Sequence, residues 1–305
     1  MRVLLATDGS GTAIAATKTV EQLAEHNPID VTVVTVSYDP QRYQFQPWVP
    51  EWTEQENART AKILADAKRT LDRTCQSVSI KHVSGAVVPA ILDEATKSRA
   101  DLIVIGAKGH SAIGRLLLGS VSDSVASKAD CSVLVVRPND TLGFDRVVVG
   151  YDKSVASREA VAELMEMKLS DEMHFDVVSV AEQPYVYVGE GFAEPPIALS
   201  PAQIRPIEET CERMASQIAE HFHRTRSHTP IAAHVGDAIV QQAESAGADL
   251  ILVGDTGHGM LDELFLGSTS KYVLRHAPCS VWISRHHTKT TGDAKEESGH
   301  AVAAN

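Results

Sequence analysis

The sequence is short of cysteine, of long apolar runs and of positive charge, and each shortage removes a class of protein. Cys75, Cys131, Cys211 and Cys279 lie far apart with no Cys-x-x-Cys pair, which excludes a disulfide scaffold and argues against a structural zinc site or a redox motif. Buried, reduced thiols are expected instead. No apolar stretch approaches the ~20 residues that cross a bilayer, so neither a transmembrane helix nor a membrane partner is expected. Lys and Arg number 28 against 40 Asp and Glu, a formal net charge of -12. That balance repels a phosphate backbone at long range and makes nucleic acid a poor partner. The apolar run after Met1 and Arg2 meets Asp8 too soon for a signal peptide, and the location read from this is cytoplasmic. Catalytic signatures are missing as well. There is no Gly-x-x-x-x-Gly-Lys, no Gly-x-Gly-x-x-Gly and no Gly-x-Ser-x-Gly, which counts against a motor ATPase, an NAD enzyme and a hydrolase.

What is present is a chain of 305 residues, 43% hydrophobic and 22% charged, long enough for two ordinary domains. It repeats itself. Residues 100–120 reappear at 248–268 with about half the positions identical, and the relation extends from residues 3–8 to 147–152 and from 131–133 to 279–281. A period this long is a whole domain rather than a solenoid unit. The join falls in a Pro, Asn, Asp and Gly cluster near residues 138–144, giving domains at 1–140 and 144–286. Residues 287–305 have no periodicity and read as a disordered tail.

Within each repeat, β-branched runs alternate with segments of helical period. The first repeat offers strands at 3–6, 31–36, 79–83, 102–105 and 133–136, with Ile80 and Val83 the weakest support. Runs that are apolar at successive positions fit strands covered on both faces, hence a parallel sheet. Ile204, Ile207, Cys211, Met214, Ile218 and Phe222 mark one apolar helical stripe, and Ala58, Ala61, Leu64 and Leu71 its counterpart. The order predicts an α/β fold, a doubly wound parallel sheet made twice. Two Pro- and aromatic-rich segments, 38–52 and 184–206, interrupt the pattern and read as packing flaps, lids or partner surfaces. His221, His223, Arg224, Arg226 and His228 read as a solvated helix end, and His286 and His287 as surface.

The informative motif starts where the run 102–105 ends. Gly106, Gly109 and Gly119-Ser120 are spaced as Gly254, Gly257 and Gly267-Ser268 are in the second repeat. Loops leaving the carboxyl ends of parallel strands border the ligand crevice, and glycine there lets backbone approach a ligand. Gly119 and Gly267 precede helical segments whose free N–H groups attract anions, with Ser120, Ser122, Ser268 and Thr269 as hydroxyl donors. Asp8 and Asp152 close the first strand of each repeat. They accept hydrogen bonds from a ribose or an adenine amino group, cap the next helix, or do both.

Asp8-Gly9-Ser10, Asp152-Lys153-Ser154 and the doubled glycine pattern resemble the universal stress protein family in its tandem, ATP-binding form, over about residues 1–285. The resemblance implies adenosine contacts at Asp8, Val36 and Ile105 and phosphate contacts at Gly106, Gly109, Gly119, Ser120 and Val121. In the second repeat it implies Asp152, Val180, Val253, Gly254, Gly257, Gly267, Ser268 and Thr269. It further implies an adenine nucleotide alpha hydrolase-like fold of five-stranded parallel sheets, a pseudo-twofold between repeats, a homodimer and a place in the stress response.

The two sites are expected to differ. Lys108, His110 and Arg115 lie between the first set of glycines, whereas Asp255, Thr256, Asp262 and Glu263 occupy the second. The first repeat is therefore expected to bind ATP more tightly, and the second to bind it weakly, to need Mg2+ to offset its carboxylates, or to be empty. The function expected is nucleotide-dependent regulation with no catalytic residues, no protein metal site and little turnover, read by a protein partner. The alternatives are a slow ATPase or nucleotidyl transferase on the same fold, or a scaffold without ligand.

Overall fold

The computed structural model describes residues 1–37, 50–108, 118–138, 143–183, 186–188, 192–194, 198–256 and 266–285. These fall into two compact units, the first running from Met1 through Gly143 and the second beginning at Phe144. The expected tail, with His286 and His287, lies outside the described residues, as do residues 38–49.

The first unit alternates β1 (Arg2–Ala6), α1 (Gly11–His26), β2 (Asp30–Ser37), α2 (Pro50–Leu71), β3 (Ser77–Ser84), α3 (Val87–Lys97), β4 (Leu102–Gly106), α4 (Ser120–Lys128) and β5 (Ser132–Val136). The strands pair in parallel in the order β5-β4-β1-β2-β3. Leu4, Leu5, Leu102, Ile103 and Leu134 are fully buried, because helices cover both faces of the sheet centre and leave no side for polar alternation. β3 is the edge and is largely exposed, with Ile80 44% accessible, which is why its sequence signal is weak.

One expectation needs correcting here. Ala58 and Ala61 of α2 face solvent, and the buried stripe is Thr60, Leu64, Ala67 and Leu71. Alanine is compatible with either face of a helix, so it carried little information about direction. Pro50 also opens α2, where its missing N–H costs nothing, so the end of the first interrupting segment is helical.

The second unit runs β6 (Arg146–Gly150), α5 (Val155–Glu166), β7 (His174–Val178), β8 (Ala181–Glu182), β9 (Val186–Val188), β10 (Phe192–Glu194), α6 (Pro201–Ala219), β11 (Arg224–His228), β12 (Ile231–Ala232), α7 (Val235–Ala246), β13 (Leu250–Gly254), α8 (Ser268–His276) and β14 (Ser280–Ser284). Its parallel order is β11-β7-β6-β13-β14, and β8 pairs β12 beside it. The second interrupting segment holds the antiparallel hairpin of β9 and β10 and the first turns of α6, which starts from a Ser200 capping box. Cys211, Met214 and Ile218 are buried as the stripe predicts, and Phe222 packs on Phe175 at 4.5 Å.

The basic cluster is a helix end only at His221 and His223, which are exposed directly after α6. Arg224, Arg226 and His228 form the edge strand β11, where His228 pairs with Asp176 at 2.9 Å and Arg224 with Glu172 at 2.6 Å. An edge strand needs no apolar alternation, and its charges discourage pairing with foreign strands. Cys131, Cys211 and Cys279 are buried free thiols, while Cys75 is half-buried and burial pushes its thiol pKa up.

Candidate functional site at the carboxyl ends of the strands

Each sheet reverses its winding once. The chain steps from β1 outward to β2 and β3, then returns to build β4 and β5 on the other side, so a crevice opens at the carboxyl ends of β1 and β4. β6 and β13 frame the same crevice in the second unit.

In the second unit the crevice is a cavity of about 550 Å³, a size typical of small-ligand sites. Asp152, Val180, Val253, Gly254, Gly267, Ser268 and Thr269 all line it, so every described residue assigned to that site from sequence meets in one place. Tyr151, Lys153, Ile207, Thr210 and His234 complete much of the wall. Gly257 lies outside the described residues. In the first unit Asp8 follows β1, Val36 lies near the end of β2, Ile105 and Gly106 close β4, and Gly119, Ser120 and Val121 open α4. These too gather at the carboxyl edge; Gly109 lies outside the described residues.

The turn after the first strand is the same in both units. Asp8 Oδ1 accepts from the Ser10 amide at 2.9 Å and Asp152 Oδ1 from the Ser154 amide at 2.9 Å. The helix caps are Ser10 and Ser154, whose hydroxyls accept from the Ala13 and Ser157 amides. The capping alternative for Asp8 and Asp152 is thereby corrected, since the aspartates brace the turn and the serines cap.

A Cβ on Gly106 would stand 2.8 Å from the Thr12 carbonyl carbon, and one on Gly254 2.7 Å from that of Ala156. Glycine here lets the first turn of α1 or α5 lie against the strand end, a close approach of backbone to helix. Gly119 and Gly267 belong to the helix termini. The Gly119 amide donates to Ala107 O and the Gly267 amide to Asp255 O, each at 2.7 Å, which fixes where α4 and α8 start. Neither helix has a side-chain cap bond, so their first-turn amides have no helical acceptor.

Ser122 and Ser270 are buried and occupied. The Ser122 hydroxyl donates to Ala107 O at 2.8 Å and the Ser270 hydroxyl to Gly254 O at 2.6 Å. Ser122 is therefore removed from the candidate phosphate donors. Ser120 and Ser268 stay exposed and Thr269 half-exposed.

The charge contrast between the sites also changes. Asp255 is 2% exposed and faces Arg285, itself 5% exposed, with Nε to Oδ2 at 3.5 Å. It turns inward and is not among the residues that line the cavity. His110, Arg115, Asp262 and Glu263 lie outside the described residues. Further differences were missed by the sequence reading. In the first unit the hydroxyls of Ser10 and Thr12 both donate to Lys108 O, whereas Ala156 replaces Thr12 in the second. Ile63 of α2 lies against the Gly9 turn, within 2.8 Å of where a Cβ would be, and Arg59 reaches Asp8 O at 3.4 Å. Glu56 is hydrogen-bonded to that guanidinium, which lowers its carboxyl pKa. In the second unit Lys153 replaces Gly9 and keeps the same left-handed backbone, φ 67° against 76°. Comparing Asp-Gly-Ser with Asp-Lys-Ser was the signal that could have found it.

Among the described residues, no three His, Cys, Asp or Glu side chains come together to hold a metal, and no helix is long and apolar enough to cross a membrane.

Two tandem α/β units, each with a glycine-edged crevice at its topological switch point, define the class. The model of the universal stress protein family matches residues 1–137 and again 143–285, and the chain belongs to that family. It is 28% identical over 293 residues to a universal stress protein of Mycobacterium tuberculosis, covering 93% of this chain and 96% of that one. A universal stress protein of Thermus aquaticus is 34% identical over 136 residues, 44% of this chain and 97% of its own. The crystal structure of a universal stress protein from Archaeoglobus fulgidus aligns with a TM-score of 0.66 at 20% identity, over 93% of this chain and 96% of that chain, a likeness of fold.

Proposed function

We propose that this chain is an ATP-binding regulatory member of the universal stress protein family, with little or no turnover. One observation carries the reading: the doubled glycine pattern and the residues implied as nucleotide contacts converge, in the second unit, on a single cavity at a helix N-terminus. The cavity suits such a ligand. Val180, Val253, Ile207 and Ile239 offer apolar surface to a purine. Asp152, Ser268 and Thr269 line it; Asp152 would accept from ribose hydroxyls, and the open amides of α8 with Ser268 and Thr269 would meet phosphates. Mg2+ would arrive with the phosphates, whose oxygens would serve as its ligands. In this reading the protein works in the cytoplasm as a homodimer, and a protein partner senses the loops that the nucleotide orders; nucleic acid and membrane are not partners.

The test is to denature the purified protein and identify any released molecule by mass spectrometry, then to follow thermal unfolding against ATP. A ligand that binds only the folded state at 100 times its Kd adds about 2.7 kcal/mol of stability. No released nucleotide together with a melting temperature indifferent to millimolar ATP rejects the proposal, and sustained multiple turnover rejects its non-enzymatic part.

A further inference from the structure

We infer that Lys153 is the cation that holds the phosphate end of the ligand in the second unit, an inference that rests on the nucleotide reading above. Lys153 lines the cavity beside Asp152, and its side chain is exposed. Among the described residues its ammonium has no hydrogen-bond or ion-pair partner; only its carbonyl is engaged, by Arg158. Its backbone is left-handed at φ 67°, a conformation that side chains rarely adopt and that the first unit fills with Gly9. A lysine kept where glycine fits without strain points to a use for its charge.

The surroundings agree. Lys153 is the one Lys or Arg among the described residues that line this cavity, whereas the first unit carries its lysine at position 108, where the second has Thr256. The chemistry recognised is a phosphorylated ligand, as opposed to its unphosphorylated nucleoside.

Arg99 supplies an internal control. It too is left-handed, φ 49°, where the other repeat has Gly247 at 60°, but it lies between the end of α3 and the start of β4, away from the carboxyl edge of the sheet. The full chain is titrated by calorimetry with ATP and with adenosine as wild type, Lys153→Gly, Lys153→Gln and Arg99→Gly. Expected for Lys153→Gly is an unliganded melting temperature equal to or above wild type, one ATP binding event weakened about tenfold, and adenosine affinity unchanged. Lys153→Gln, which keeps the side chain and loses the charge, should weaken ATP similarly, and Arg99→Gly should alter neither ligand. ATP isotherms that overlay wild type overturn the inference. So does an equal loss for ATP and adenosine, which would make Lys153 a support of the turn. If the wild type binds neither ligand, the nucleotide reading has failed and the inference falls with it.

Discussion

The exchange of Gly9 for Lys153 shows how one backbone shape is held at different cost in the two repeats. A left-handed non-glycine residue gives up about 1–2 kcal/mol. At Arg99 that cost is offset in part by a cation sitting at the carboxyl end of α3, whereas Lys153 sits at the start of a helix, where a cation is unfavourable. Gly254 is constrained differently. Its missing Cβ makes room for the Ala156 backbone, so Gly254→Ala must push α5 away from the strand and should lower stability by about 1–3 kcal/mol, read from the urea unfolding midpoint. Asp255 gives a sharper contrast. Read from sequence as an acidic residue in a phosphate loop, it should repel ATP, and its removal should tighten binding. Buried against Arg285, it should do the opposite of helping when removed: Asp255→Ala costs about 3 kcal/mol or more and leaves ATP affinity no higher. Calorimetry showing a tighter complex for the variant would mean that the carboxylate does face the ligand.

At the scale of elements, the site depends on where two helices begin. α8 is set by the Gly267 amide on Asp255 O and by the Ser270 hydroxyl on Gly254 O, and α4 by the Gly119 amide and the Ser122 hydroxyl, both on Ala107 O. Ser270→Ala leaves the Gly254 carbonyl without that donor in a buried position, and a loss of about 1–2 kcal/mol follows, measurable by chemical denaturation. Because the exposed Ser268 hydroxyl is on the opposite side of the account, Ser268→Ala should leave stability within about 0.5 kcal/mol of wild type. This is also where the sequence stops being legible. β1, β4 and β5 could be read because both their faces are covered, and α6 because its stripe is made of large side chains. β11 could not, since an edge strand rich in Arg and His carries no apolar period, and the buried face of α2 was hidden by alanines that fit either side. Ser122 looked like a ligand donor because hydroxyl at a helix start has two uses, and only the coordinates show that its bond is spent on Ala107 O.

For the whole molecule, the repeat was the most readable feature, and it led directly to two crevices with the same list of residue positions. What the repeat could not convey is the difference between them, because it resides in ties across the fold: Thr12 and Ser10 on Lys108 O, Ile63 over Gly9, Asp255 on Arg285. Charge acts on both scales at once. The molecule carries a net -12, which opposes the approach of any polyanion out to about 10 Å at 0.1 M salt and farther at lower salt, while Lys153 acts only at contact. Raising ionic strength from about 0.01 to 0.15 M shortens the Debye length from about 30 to 8 Å. It should therefore speed ATP association by removing the long-range repulsion, and speed dissociation by weakening the contact with Lys153, with adenosine indifferent in both rates. Stopped-flow measurements with wild type and Lys153→Gly separate the two effects: the association trend persists in the variant, and the salt sensitivity of dissociation shrinks. An ATP association rate that falls with salt would place the governing field in the crevice itself and not in the molecule as a whole.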